Sequence, residues 1–198
     1  MNFSLSLMIV TLASSVGFAA LPPQFSECLR SDALPSISYN DLKELAKVAK
    51  VTYCQNQVNL IGRNEAKDLL RSNVDLGVSL ARSNYSYEDL LDMARAGSYV
   101  LYVDTAKLSR AELINLAREG VQLVIMSISS TLSQVDLVAI ANEKSFIYNV
   151  TSMVPRADLQ QLVSLNVQVV IRSAQSNLSK EDIVAVAQTN SSLVTVFP

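Results

Sequence analysis

A helix-start signal returns seven times along the chain, at intervals of 22 to 24 residues. In each case an anchor residue is followed three positions later by an acid and four positions later by an apolar residue. A period of this length, with one helix–strand unit per repeat, is typical of proteins built by stacking equivalent units. We therefore predict an α/β solenoid of seven repeats, with a parallel sheet on one face and helices on the other. The anchors are Ser38, Gly62, Ser86, Ser109, Ser133, Pro155 and Ser179.

The acid of each repeat has a structural interpretation. A serine at the N-cap accepts a hydrogen bond from a free backbone N–H of the first turn, and an acid three residues later reaches back to the N-cap N–H. The seven acids also admit a cation-binding ladder, but every one stands at the capping position, and the chain has no histidine. No metal site is predicted. The acids are Asp41, Glu65, Asp89, Glu112, Asp136, Asp158 and Asp182.

Helix ends and strands follow at regular positions. Asn or Gly at the eleventh position after the anchor favours a left-handed residue that ends the helix, at Asn73, Gly97, Gly120, Asn166 and Asn190. Short runs rich in β-branched and aromatic residues then predict strands, at 74–78, 99–103, 123–126, 146–150, 167–171 and 193–196. An earlier strand is predicted around Val51 and Tyr53.

Counting from the anchor divides the strand side chains into two faces. The fourteenth and sixteenth positions are apolar and are predicted to face the helices. The thirteenth and fifteenth positions mix aromatic, aliphatic and amide side chains, as protein-binding surfaces do. We predict that this face is exposed and binds a protein or peptide, or a glycan; the alternative is a sheet that closes on itself and buries both faces. The predicted partner-binding residues are Tyr53, Tyr99, Leu101, Gln122, Val124, Phe146, Tyr148, Gln168 and Val170.

The segment 59–70, N-L-I-G-R-N-E-A-K-D-L-L, resembles the N-x-I-G-x-x-G-A-x-x-L-A signature of short bacterial leucine-rich repeats. The units that begin at Leu108, Leu132 and Leu178 keep the same frame with Ser for Gly. The asparagine ladder of that family is mostly replaced by serine, for example at Ser83 and Ser130. The resemblance implies a protein-recognition scaffold, not an enzyme, with no cofactor.

The N-terminal part of the chain predicts export. Residues 1–19 have the apolar run and small residues of a signal peptide, 20–37 form a predicted cap segment, and 38–198 form the repeat domain. An uncleaved anchor is the alternative. We expect a periplasmic or secreted protein that does not insert into a membrane after signal removal. Cys28 and Cys54 are the only cysteines, and in an exported protein such a pair predicts a disulfide.

The leading functional hypothesis is thus an exported binding module, with homodimerisation through the terminal strand as a subordinate prediction. A structural or assembly subunit of an envelope or secreted complex is one alternative. A small closed β/α-barrel enzyme is another, with Asp104, Ser127, Arg172 and Ser173 following its strands. The net charge of −2 argues against nucleic acid. Asn149 begins an Asn-x-Thr triplet, which we interpret as coincidental because it lies within a predicted strand.

Overall fold

The computed structural model describes residues 37–55, 61–72 and 74–197, in which helices and strands alternate. The helices are α1 Tyr39–Ala46, α2 Arg63–Arg71, α3 Tyr87–Ala96, α4 Arg110–Arg118, α5 Gln134–Glu143, α6 Arg156–Ser164, α7 Ser173–Ser176 and α8 Lys180–Thr189. The strands are β1 Val51–Gln55, β2 Val74–Ser79, β3 Val100–Val103, β4 Gln122–Met126, β5 Ile147–Val150, β6 Gln168–Arg172 and β7 Val194–Phe197. All seven strands are parallel and pair in chain order. The predicted α/β class with a seven-stranded parallel sheet is confirmed.

Every described helix except α7 begins directly after a predicted anchor. Ser133, for example, is the N-cap of α5: its hydroxyl accepts from the Asp136 N–H at 3.2 Å, and the Asp136 carboxylate accepts from the Ser133 N–H at 3.1 Å. These hydrogen bonds from the Ser133 hydroxyl and backbone hold the pKa of Asp136 below its ordinary value. Gly62 has no hydroxyl, and its N–H donates to the Glu65 carboxylate at 2.8 Å instead. The capping interpretation is confirmed for Glu65, Asp89, Glu112 and Asp136, whereas Pro155 forms no side-chain capping bond with Asp158.

Ion pairs connect neighbouring helices in the same repeating register. In three cases the first residue of one helix, an arginine, contacts the capping acid of the next helix across 26 residues of sequence. Such half-exposed pairs contribute about 0–1 kcal/mol each, so they support the helix spacing without determining it. The pairs are Arg63–Asp89 at 3.0 Å, Arg110–Asp136 at 3.2 Å and Arg156–Asp182 at 3.3 Å.

The assignment of strand side chains to faces is wrong for the first, third and fifth repeats. Tyr99 and Leu101 of the third repeat, and Phe146 and Tyr148 of the fifth, are buried among helix residues in the main core. Tyr53 of β1 also packs, half-buried, against that core. These five residues therefore do not form part of an exposed strand face.

The physical reason is one residue of difference in how the helices end. After α4 and α6 the chain passes through a left-handed residue, at Gly120 (φ 95°) and Asn166 (φ 63°). After α3 and α5 it continues directly in an extended conformation, at Gly97 (φ 175°) and Lys144 (φ −153°). Side chains alternate between the faces of a strand, so this difference exchanges the two faces when positions are counted from the anchor.

The face away from the helices is also buried along the middle of the sheet. Val100, Tyr102, Val124, Ile147 and Val170 form a second apolar cluster there, and burial raises the pKa of the Tyr102 hydroxyl. The expectation of an open solenoid with an exposed strand face is therefore wrong for β3 to β6. Only toward the edge of the sheet does exposure rise, with Val196 and Phe197 of β7 41% and 45% exposed.

Several predictions fall on other parts of the chain. The predicted signal peptide (1–19), residues 20–36 of the predicted cap segment, and Cys28 lie outside the described residues. Cys54 of β1 is buried and disulfide-bonded. Among the helices of the described residues, none has the length and apolar character that crossing a bilayer requires.

Candidate functional site

A cavity of about 580 Å³ opens where strands β4, β5 and β6 end. Parallel α/β proteins place their ligand sites at this carboxyl edge of the sheet, because the loops that follow the strands converge there. The cavity is lined by Met126, Ile128, Asn149, Thr151, Arg172 and Gln175. Met126 also packs against the second apolar cluster, so the cavity lies on the side of the sheet away from the helices.

Arg172, the last residue of β6, gives the cavity its one charged side chain. Its guanidinium lies over the ring of Phe197, its register partner in β7, at 5.4 Å from the ring centroid. Among the described residues, no carboxylate forms an ion pair with Arg172. A guanidinium stacked on an aromatic ring keeps its N–H groups available in its own plane, so Arg172 is suited to bind an anion.

Asn149 of β5 contributes a buried amide. Its side-chain N–H donates to the sulfur of Met126 at 3.4 Å, a weak bond because a thioether is a poor acceptor. Its side-chain oxygen has no hydrogen-bond partner, although the residue is only 1% exposed. A buried oxygen left unpaired destabilises a protein by about 1–3 kcal/mol, so a polar partner for this atom would be favourable.

Thr151 follows β5 and contributes a second buried polar group without a hydrogen-bond partner, its side-chain hydroxyl. Its backbone is held by β4: the Thr151 N–H donates to the Ser127 hydroxyl at 2.9 Å, and that hydroxyl contacts the Ser152 hydroxyl at 2.8 Å. The Ser127 N–H donates in turn to the Asn149 carbonyl oxygen at 3.0 Å. The ends of β4 and β5 are therefore joined by hydrogen bonds, which fix Asn149 and Thr151 on one wall.

The lining residues define the chemistry available to the cavity. They supply one permanent cation and two unpaired oxygens, with no carboxylate, histidine or thiol for proton transfer. Within the described part of the chain, no group of three or more metal-ligating side chains occurs. The arrangement can bind an anion and stabilise negative charge on a ligand oxygen.

The structure does not bring the predicted partner-binding residues together, and none of the nine lines the cavity. Val124 and Val170 belong to the second apolar cluster. Gln122 and Gln168 stand at the opposite, amino ends of β4 and β6. Tyr99 donates its hydroxyl to the Leu90 carbonyl oxygen at 2.9 Å, on the helix side.

Of the residues named for the barrel alternative, some lie at the cavity and others do not. Arg172 lines the cavity, and Ser127 supports its wall. Asp104 lies elsewhere, where its carboxylate accepts from the Ser79 hydroxyl at 2.5 Å and the Ala81 N–H at 2.8 Å. Ser173 begins α7, a helix that the sequence did not predict. Sequence reasoning missed Asn149 and Thr151; a polar side chain inside an apolar strand was the available signal.

No protein-family model matches the chain, and no curated protein matches it. Among solved structures, KGPDC from Streptococcus mutans matches with 13% identity and a TM-score of 0.45, over 75% of this chain and 77% of that one. A mandelate oxidase bound to (S)-2-phenylpropionate matches with 12% identity and a TM-score of 0.42, over 83% and 63%. The deoxyribose phosphate aldolase from Aeropyrum pernix matches with 10% identity and a TM-score of 0.32, over 78% and 87%. No reaction or substrate is transferred at this level of similarity.

The leucine-rich-repeat assignment is wrong, and so is the binding module that it implied. The strand face that such a module would expose is buried along the middle of the sheet. The structures that the chain matches are named as enzymes, so they give no support to the expectation of a non-enzymatic protein. The sequence resemblance arose because helix capping and a period near 24 residues are shared by any tight helix–strand repeat, whether its sheet is open or curled.

Proposed function

We propose that the chain is a small β/α-barrel-like enzyme that binds a small anionic substrate beside Arg172. The curled, barrel-like form is supported by burial on both faces of β3 to β6, because a flat sheet with helices on one side would leave its other face in water. Strands that pair in chain order and alternate with helices occur in β/α barrels and in open solenoids alike, so the burial of both faces is what favours the barrel-like form.

The observation that carries the proposal is the unpaired Arg172 guanidinium in a cavity at the carboxyl edge of the sheet. Arg172 would hold the carboxylate or phosphate of the substrate through parallel N–H···O bonds. The same guanidinium would stabilise negative charge that develops on an adjacent substrate oxygen. Since the lining residues include no proton-transfer group, any proton that the reaction transfers would pass between groups of the substrate itself or through water.

Binding is tested by NMR titration of the protein with inorganic phosphate and with isocaproate. Arg172→Met retains the length of the side chain and removes its charge, so it is expected to weaken anion binding at least tenfold. Arg110→Met is the matched control, because Arg110 lies on the helix surface and pairs with Asp136. Equal binding by wild type and Arg172→Met would overturn the site. Turnover is then sought by following a set of small carboxylates and phosphate esters by NMR, with Arg172→Met as the inactive reference.

A further inference from the structure

We infer that the substrate is an α-hydroxycarboxylate with a short apolar side chain. This inference rests on the proposed function and extends it, because it concerns the two cavity groups that Arg172 does not explain, the unpaired oxygens of Asn149 and Thr151. An anion can accept a hydrogen bond from the Thr151 hydroxyl, but it leaves the Asn149 amide oxygen, which only accepts, without a partner. A ligand that carries a hydrogen-bond donor close to its anionic group therefore satisfies more of the cavity.

The orientation of the Asn149 amide decides which partner it requires. With its N–H directed at the Met126 sulfur, the amide oxygen remains as an acceptor. The opposite orientation would place two acceptors, oxygen and sulfur, against each other without a hydrogen bond. The group opposite Asn149 must therefore be an O–H or N–H donor.

The positions of the residues limit the distance between the two ligand groups. Asn149 pairs in register with Val170, two residues before Arg172 on the neighbouring strand. Two residues of strand span about 7 Å and adjacent strands lie about 4.8 Å apart, so the flexible Arg172 side chain and the Asn149 amide can meet one small ligand. The anion and the donor must then lie within a few bonds of each other.

The charge of the cavity favours a hydroxyl over an ammonium group as the donor. Arg172 is the one charged lining residue, and an ammonium group would bring a second cation close to it without a carboxylate for compensation. A hydroxyl adds no charge. Met126 and Ile128 supply apolar contact for a short hydrocarbon side chain.

Access to Asn149 requires the Met126 side chain to move. The amide oxygen is closed off from water, and Met126 is held over the amide by its weak N–H···S bond. Methionine has three rotatable side-chain bonds and changes conformation at low energy. A ligand hydroxyl would replace this weak bond with a stronger one to the Asn149 oxygen.

The experiment compares two ligands that differ in one hydroxyl, α-hydroxyisocaproate and isocaproate, by NMR titration of the full chain. Wild type is expected to bind the hydroxy acid at least tenfold more tightly, a difference of about 1.4 kcal/mol. Asn149→Leu and Thr151→Val are expected to reduce that preference toward one while retaining isocaproate affinity. Arg172→Met is expected to lose affinity for both ligands.

The outcomes separate this inference from the proposed function. Equal binding of both acids by wild type, lost in Arg172→Met, would overturn the hydroxycarboxylate inference and leave the anion site standing. Failure of wild type to bind either acid or phosphate would overturn both. A hydroxyl preference that persists in folded Asn149→Leu and Thr151→Val would also overturn the inference, and Thr151→Val, nearly identical in shape, keeps the test valid if the leucine variant fails to fold.

Discussion

Replacement of Asn149 by leucine is expected to stabilise the free protein while impairing the site. Asn149 lies between Met126 and Val170, its register partners in β4 and β6, so a side chain of similar size would meet apolar neighbours on both sides. The wild-type oxygen is buried without a partner, which destabilises the folded state by about 1–3 kcal/mol. The variant also loses the N–H···S bond, whose net contribution is about 1 kcal/mol at most.

The two terms leave a net gain of about 0–2 kcal/mol in the free energy of unfolding. For a domain of this size, 1 kcal/mol shifts Tm by about 2–4 °C, so Tm should rise by up to roughly 8 °C. The assay is thermal unfolding followed by circular dichroism, together with urea titration at constant m-value. The Tm of the Thr151→Val variant should rise by a smaller amount, because only one hydroxyl is removed.

A matched control is Asn190→Leu, since the Asn190 oxygen is satisfied. It accepts from the Ser192 N–H at 3.2 Å and the Ser192 hydroxyl at 2.7 Å, where it caps the 3₁₀ turn Ser191–Leu193. The loss of this cap should destabilise the protein by about 1 kcal/mol. If Asn149→Leu lowered Tm as Asn190→Leu does, the Asn149 oxygen would be satisfied in solution, and the reasoning from its unpaired state would be refuted.

Three further predictions concern the scaffold. Gly120→Ala should lower the free energy of unfolding in urea by about 1 kcal/mol, because a side chain at φ 95° is strained. Gly97→Ala should lower it less, because Gly97 is extended (φ 175°) and an added Cβ meets only a close contact of 3.2 Å to Leu70 Cβ. A larger loss at Gly97 would contradict the assigned helix ends. Ser133→Ala should lower the free energy of unfolding by about 1 kcal/mol at neutral pH and by less in acid. The folded pKa of Asp136 is depressed below 3.8, so the stabilisation by its carboxylate is present above that value and is lost as pH falls through the folded pKa. A loss of stability that did not depend on pH would refute this coupling. Homodimerisation through β7, which contains Val196, stays a prediction. Light scattering should show a dimer for wild type and a monomer for Val196→Lys. A dimer that persists in the variant would contradict it.

The helix starts were predictable because their determinants are local. The N-cap, the acid three residues later and the first apolar residue all lie within five positions, and their hydrogen bonds form within the same turn, as Ser86 and Asp89 show. The strand positions followed from the apolar runs for a similar reason. These signals do not depend on how the sheet is curved, so they were correct even though the predicted open architecture was wrong.

The face of each strand side chain was not predictable from the same count. Gly97 and Gly120 stand at the same distance from their anchors and are the same residue, yet one is extended and the other left-handed. The surroundings of the two glycines also differ: a Cβ at Gly97 would lie 3.2 Å from Leu70 Cβ, whereas a Cβ at Gly120 would meet no atom within 4 Å. A one-residue change then turned Tyr99 and Leu101 toward the helices.

The candidate site was hidden for a related reason. Asn149 appeared in the sequence as an isolated amide in an apolar strand, and nothing in its neighbours showed whether its oxygen would be exposed, paired or buried. That property arises only when β4, β5 and β6 come together and the Met126 side chain closes over the amide. Arg172 was recognisable as a residue that follows a strand, but its role in the cavity depends on its neighbours in space: its guanidinium is stacked on the Phe197 ring of the adjacent strand. A cation and two unpaired oxygens around one cavity have the polarity of a binding site, and the stability gain expected for Asn149→Leu measures what that polarity costs the free protein.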